Sequence, residues 1–307
     1  MADGRGSARA TGPGRLGVAA LPFLWRRMRA SGRPRPGAAP VVPFVPQDLQ
    51  RSPALTWVGH ATFYVRLDAA AFLTDPVFSE RASPLSFAGP KRLVPPGVPP
   101  ELLPQLDFVL LSHDHYDHVD LPSVARLAAR GASFVVPTGV GELVRRVGGR
   151  VAAELGWWQG AEVAGVRVTC VPARHFSGRG LRDRNRRLWA GFVVTGRERR
   201  FYHAGDTAYF DGFAEIRRRL EPPDVACLPI GAYEPSAMMR PIHMNPEQAA
   251  CAARDLDTRL AVAMHFGTFD LADEPLDEPP RRFLAESARL GLAQRACVLP
   301  IGATRPF

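Results

Sequence analysis

Apolar residues recur at two different periods along this chain, and the place where each period applies divides it into parts. From Ala54 onward short runs rich in β-branched and aromatic residues, Ala54–Val58, Thr62–Leu67 and Ala70–Thr74, are separated by Gly59-His60 and by Asp68, which predicts three strands. The continuous apolar run Phe108-Val109-Leu110-Leu111 predicts a strand buried on both faces, and Leu121–Arg130 has the spacing of a helix. A strand at Ser133–Val136, a helix at Val140–Val147 and several short strands up to Val171 follow, then strands at Trp189–Thr195 and Arg200–His203. The remainder alternates: helix Asp211–Arg219, strand Val225–Leu228, helix Pro246–Asp255 with Asn245 as its cap, strand Leu260–Met264, helix Pro279–Leu290 and strand Ala296–Pro300. A strand-rich first half and an alternating second half indicate one mixed α/β domain over residues 49–307. The Pro- and Gly-rich stretch 75–100 inside it is long enough to be a functional or lid-like loop.

Residues 1–48 lack either period and carry Gly, Pro, Ala and Arg, the composition of a disordered or loosely packed arm. Within it Leu21-Pro22-Phe23-Leu24-Trp25 precedes Arg26, Arg27 and Arg29, a pairing of apolar and basic residues suited to peripheral contact with an anionic membrane. No apolar run approaches the roughly 18 to 20 residues of a membrane span, and the stretch 17–25 lacks the marks of a signal peptide. The net charge of +9 rests on arginine, Lys91 being the sole lysine. With no basic stretch interleaved with aromatics outside the arm, nucleic acid is not expected as a partner, whereas an anionic substrate is. Cys170, Cys227, Cys251 and Cys297 stand far apart in apolar contexts and read as buried thiols, compatible with a cytoplasmic location at, at most, the inner membrane face.

The chemistry is concentrated where the Phe108–Leu111 strand ends, in Ser112-His113-Asp114-His115-Tyr116-Asp117-His118. In extended backbone His113 and His115 point to the same side. Asp117 and His118 then fall where the loop turns into the next helix and can present a second group of donors. Imidazole nitrogen with carboxylate oxygen and no thiolate suits zinc, manganese or iron in an open, catalytic site. His175, Asp206 and His265 each follow another apolar run. A single histidine in such a place is more often a satisfied polar group than a ligand, but the recurrence points to a common centre.

These residues, together with Trp57-Val58-Gly59-His60-Ala61-Thr62, Thr74-Asp75-Pro76-Val77-Phe78-Ser79, Arg81-Ala82-Ser83-Pro84, Gly89-Pro90-Lys91-Arg92, Ala204-Gly205-Asp206-Thr207, Pro229-Ile230-Gly231-Ala232-Tyr233-Glu234-Pro235 and His265-Phe266-Gly267-Thr268-Phe269, resemble the metallo-β-lactamase superfamily. Within it they are most similar to the N-acylphosphatidylethanolamine-hydrolysing phospholipase D family. The resemblance implies an αββα sandwich with two zinc ions, manganese or iron being alternatives. One ion would take His113, His115 and His175, and the other Asp117, His118 and His265, with Asp206 between them.

The implied reaction is hydrolysis of N-acylphosphatidylethanolamine-like phospholipids to N-acylethanolamine and phosphatidic acid by a hydroxide held between the metals. Asp117, Asp206 and His243 are the expected catalytic residues. Tyr116, His243 and Arg179 are expected to contact substrate, and His60 to orient a ligand by a hydrogen bond. His203 is expected to be structural. Ile242 replaces a glutamine that the animal enzymes carry. Trp157, Trp158, Phe176, Leu181, Met238 and Met239 are candidates to line a path for acyl chains. A metal-dependent lactonase of the ascorbate-phosphate lactonase type is the alternative on the same scaffold, and relatives suggest a homodimer.

Overall fold

The computed structural model describes residues 37–180 and 182–307. The membrane-contact stretch at 21–25 and Leu181 lie outside the described residues. Two seven-stranded sheets face each other. The first contains β1 (Ala54–Gly59), β2 (Thr62–Leu67), β3 (Ala70–Thr74), β4 (Phe108–Leu110), β5 (Ser133–Pro137), β6 (Arg150–Leu155) and β14 (Thr304–Pro306), in the order β14-β1-β2-β3-β4-β5-β6. The second contains β7 (Gly160–Val163), β8 (Val166–Val171), β9 (Gly191–Thr195), β10 (Arg200–His203), β11 (Val225–Pro229), β12 (Leu260–Met264) and β13 (Ala296–Cys297), in the order β13-β12-β11-β10-β9-β8-β7. Each sheet is antiparallel over one half and parallel over the other, with the change at β3 and at β10.

The alternation of side chains in the first sheet assigns its two faces. Phe63, Val65, Phe72, Phe108, Leu110 and Val135 point into the core between the sheets. Tyr64, Leu73, Val109, Phe134 and Val136 point the other way, under helices α1 (Leu121–Ala129) and α2 (Gly141–Arg146), where they meet Val124, Leu127, Leu143 and Val144. Phe72 stacks on Phe108 at 4.7 Å and meets Phe201 of the opposite sheet edge-on at 5.6 Å, tying the sheets through aromatic contact. The outer face of the second sheet is covered by α3 (Gly212–Leu220), α5 (Pro246–Leu256) and α6 (Glu278–Arg289), whose Phe213, Ile216, Ala253, Leu256 and Phe283 join the same core. The layers are therefore helix, sheet, sheet, helix, as expected. A short α4 (Ser236–Met239) precedes the His243 loop.

Asn245 caps α5 through a reciprocal capping box with Gln248, and Pro246 occupies its first turn. The last expected strand shrinks to Ala296–Cys297, and β14, not anticipated, pairs with β1. Residues 37–48, placed in the arm by composition, lie on the domain: Ala39 N donates to Gly267 O at 3.0 Å and Val42 N to Ile301 O at 2.9 Å. Cys170 and Cys227 are buried, whereas Cys251 and Cys297 are partly exposed. Among the described residues no helix is long and apolar enough to cross a membrane.

Candidate metal centre

Seven strand ends deliver the polar residues to one edge of the sandwich. His60 follows β1, Asp75 follows β3, and the segment 112–118 follows β4. His175 follows β8, Asp206 follows β10, Tyr233 follows β11 and His265 follows β12. His60, Asp75 and His265 adopt positive φ (54°, 36° and 63°). Left-handed backbone costs a non-glycine residue about 1 kcal/mol or more, and such strain collects at functional sites. Before Asp206, Gly205 also has positive φ, and a Cβ there would lie 2.7 Å from Cβ of Ser112, so only glycine lets this loop of the second sheet close against the 112–118 loop of the first.

The donors fall into overlapping groups. His113, His115, His175 and Asp206 form one, and His60, Asp117, His118 and His265 another, each with a set of ligand atoms within 4.8 Å of one another. Asp206, His243 and His265 form a third such set, overlapping the others. Asp206 reaches both sides: Oδ2 is 3.2 Å from Nε2 of His118 and 3.8 Å from Nε2 of His175, while Oδ1 is 3.1 Å from Nε2 of His265. Oδ2 of Asp117 lies 3.3 Å from Nε2 of His265 and 3.1 Å from Nε2 of His60. His60 thus lies against Asp117.

Behind the donors sits a residue to which sequence reasoning gave no role. Asp75, fully buried, accepts Nδ1 of His118 at 2.8 Å, Nε2 of His203 at 2.8 Å, and both N and Oγ of Ser112 at 2.7 Å. It fixes the His118 ring with Nε2 facing the cluster, and it explains His203 as a structural partner. Asp75 ends its strand as the other site residues end theirs, and that shared position was the available signal. His175 is held in the same manner, its Nδ1 against the carbonyl oxygen of Ile242 at 2.7 Å.

Electrostatically the groups differ. Burial, reinforced by neighbouring imidazoles, drives His113 well below the usual histidine range. Burial likewise brings His115 down to about 4, His175 to about 3, His60 to about 3 and His243 to about 3. At His118 and His265 burial is outweighed by Asp206 and Asp117, with Asp75 adding to the effect on His118; His118 rises well above its ordinary value and His265 to about 9. Burial also works against charge on Asp117 and Asp206, but His118 and His265 pull both well below the usual carboxylate range.

The donor set fits a pair of divalent cations. Nε2 of His118, both ring nitrogens of His265, Oδ1 of Asp206 and Nδ1 of His243 are buried and make no hydrogen bond, an expensive arrangement unless something else satisfies them. Nitrogen and oxygen donors without thiolate suit zinc, manganese or iron.

The residues expected to meet substrate are placed less uniformly. Nδ1 of His243 is 4.0 Å from Oδ2 of Asp206, and His243 also lines a polar cavity of about 190 Å³ with Tyr233, Arg240, Asn245 and Arg282. Tyr116 donates to the carbonyl of Arg179 at 2.9 Å, and the Arg179 guanidinium lies 3.9 Å over its ring. Nη1 of Arg179 donates to the carbonyl oxygens of Asp114 and Val119, so much of this side chain is committed to the loop. Tyr116 and Arg179 line a cavity of about 670 Å³ with Arg81, Leu85, Leu121 and Leu143. Phe176 packs on the His115 ring at 4.5 Å. Trp157 instead packs on Trp189, Trp158 lies under Arg219, and Met238 and Met239 form a small cluster with Ala232 and Ala272.

The chain has recognisable relatives. Residues 71–266 match the family described as a beta-lactamase superfamily domain. An uncharacterized protein of Mycobacterium tuberculosis is 42% identical over 274 residues, covering 86% of this chain and 72% of that one. The N-acyl-phosphatidylethanolamine-hydrolyzing phospholipase D 1 of Caenorhabditis elegans is 40% identical over 243 residues, covering 75% of this chain and 68% of that one. Among solved structures, Igni18, a metallo hydrolase from Ignicoccus hospitalis, superposes with a TM-score of 0.62 at 25% identity, covering 83% of this chain and 97% of that one.

Proposed function

Since the chain belongs to the metallo-β-lactamase superfamily and is a metal-dependent hydrolase, we propose that it is a zinc-dependent phosphodiesterase of phospholipase D type. Its substrates are phospholipids of the N-acylphosphatidylethanolamine kind, split by water into an N-acylethanolamine and a phosphatidic acid. The observation that carries the hydrolytic part is Asp206, whose two oxygens face both donor groups. The lipid part rests on the activity named for the nematode relative.

His113, His115 and His175 would hold one cation and Asp117, His118 and His265 the other, with Asp206 shared. Cations held there would supply Lewis acidity toward a phosphate oxygen and would make water a nucleophile near neutral pH. The chain itself does the positioning. His60 orients Asp117, and Asp75 orients His118. His243, kept neutral by burial, offers a ring N–H to the phosphodiester oxygen on the departing alcohol. Tyr116 and Arg179 border the larger cavity, where the lipid portion sits.

The test is direct. Zinc-loaded protein given N-acylphosphatidylethanolamine in mixed micelles is expected to release phosphatidic acid, measured by mass spectrometry. Release of diacylglycerol in its place, or lactone opening with no phosphodiester cleavage, would overturn the assignment.

A further inference from the structure

The loop between β3 and β4 presents an apolar tip on a stiff base. The backbones of Arg81 and Lys91 pair in an isolated antiparallel β-bridge, Ala82 N donates to Pro90 O at 3.0 Å, and Arg92 N donates to Glu80 O at 2.7 Å. Arg92 fastens the base further, donating to the carbonyls of Val77 and Ser79 and covering the Phe269 ring at 4.8 Å. Beyond this base Phe87 is 77% exposed and Leu85 47%, Phe87 being the most exposed large hydrophobic side chain among the described residues. A short protruding tip offers too little area for a stable protein interface of about 800 Å² per partner.

Arg179, Asp183 and Arg187 line the same 670 Å³ cavity as Leu85 and Ser86 of this loop. In the same stretch Arg182 and Arg186 are exposed, and no carboxylate lies within ion-pairing distance of either among the described residues. The nearby acids are engaged: Asp183 with Arg187, Glu142 with Arg146 and Arg187, Glu154 with Arg145. Glu80 and Asp120 remain as acids of the lining without such a cation, Asp120 accepting from the hydroxyls of Ser79 and Ser123. The loop that lends Leu85 and Ser86 to the cavity thus carries an apolar spike at Phe87, and the stretch that lends it Arg179, Asp183 and Arg187 carries two guanidinium groups with no ion pair among the described residues.

We propose that this rim docks the protein on an anionic lipid surface, Phe87 entering the acyl boundary while Arg182 and Arg186 meet headgroup phosphates. Apolar insertion and basic attraction reinforce each other at such a surface. Seated this way, the cavity opens onto the bilayer, and an amphiphile enters from the lipid phase alongside Tyr116, between His115 and Asp117 in the chain. Docking at this surface does not depend on which bond the site cleaves.

Co-sedimentation of the full metal-loaded chain with phosphatidylcholine vesicles, with and without phosphatidylglycerol, tests it. Binding is expected only with the anionic lipid. Phe87→Ser should lower the partition coefficient roughly tenfold, for partial loss of a buried aromatic. The double variant Arg182→Ala/Arg186→Ala should lower it roughly 25-fold, at about 1 kcal/mol per cation. Thermal midpoints should stay at the wild-type value, and the arm, present throughout, gives a constant background. Equal binding to neutral vesicles, or unchanged binding by these variants, overturns the proposal. So does a concentration-dependent dimer abolished by Phe87→Ser, which would make the tip a contact between copies. Vesicle binding is read without turnover, so its failure is distinct from failure of the phosphodiesterase reading.

Discussion

Asp206 stands between two sets of imidazoles in opposite charge states, His113, His115 and His175 on one side and His118 and His265 on the other. Around His113, His115 and His175 burial dominates, and the rings are neutral before any cation arrives. Around His118 and His265 the carboxylates of Asp117, Asp206 and Asp75 dominate, and protons stand where positive charge is wanted. The first position is therefore ready to bind, and the second must expel protons to do so. The difference comes from the buried carboxylates of Asp117 and Asp75, which add to that of Asp206 beside His118 and His265.

Removing the shared residue should erase the contrast. Asp206→Asn is expected to reduce bound zinc at both positions and to lower hydrolysis on the order of 10³-fold, comparable to losing a major electrostatic stabiliser. Elemental analysis with a kinetic assay checks this; full zinc content in the variant would show that the groups do not depend on Asp206. A smaller and uneven effect is expected from Asp75→Asn. Asp75 holds His118 directly and reaches His113 only through the Ser112 hydroxyl, so the change should weaken one zinc equivalent by about 10- to 100-fold and the other by less, as competition with a chelator can resolve. If both equivalents weaken alike, Asp75 supports the whole edge.

Acidity sharpens the comparison with no change of sequence. His118, raised well above its ordinary value, and His265, protonated up to about 9, must each lose a proton to bind, so affinity at their position should climb by more than tenfold per pH unit from neutrality toward pH 9. His115 and His175, already neutral, should give an affinity flat over that range and lost only as pH falls toward about 4. Zinc titrations at several pH values, with proton release monitored, would expose either pattern.

Much of this centre was readable because strand chemistry is local. The alternation that places His113 and His115 together, and the repeated apolar-run-then-donor pattern at His175, Asp206 and His265, survive folding unchanged. What escaped reading depends on which face a side chain takes. Asp75, followed by proline, reads as the start of a loop, and nothing local says that Ser112, His118 and His203 will converge on it. Arg179 looked free for an anion, but its Nη1 goes to the backbone of the 114–119 segment. Trp157 and Trp158 neighbour the site in sequence while spending their rings on Trp189 and Arg219. Residues 37–48 and β14 were missed because Pro-rich stretches this short carry no period, and their pairing is supplied by distant backbone.

Gly205 sets a dimension as well as a conformation. Its backbone meets the Ser112 side chain with no room for a methyl group between them, so the span from Asp206 to the 113–118 donors is set by the close approach of the Gly205 main chain to Ser112, like a gauge block between two jaws. Substitutions in the surrounding loops can alter what enters the site while that span stays the same. A side chain at 205 would pry the jaws apart and detune both positions at once.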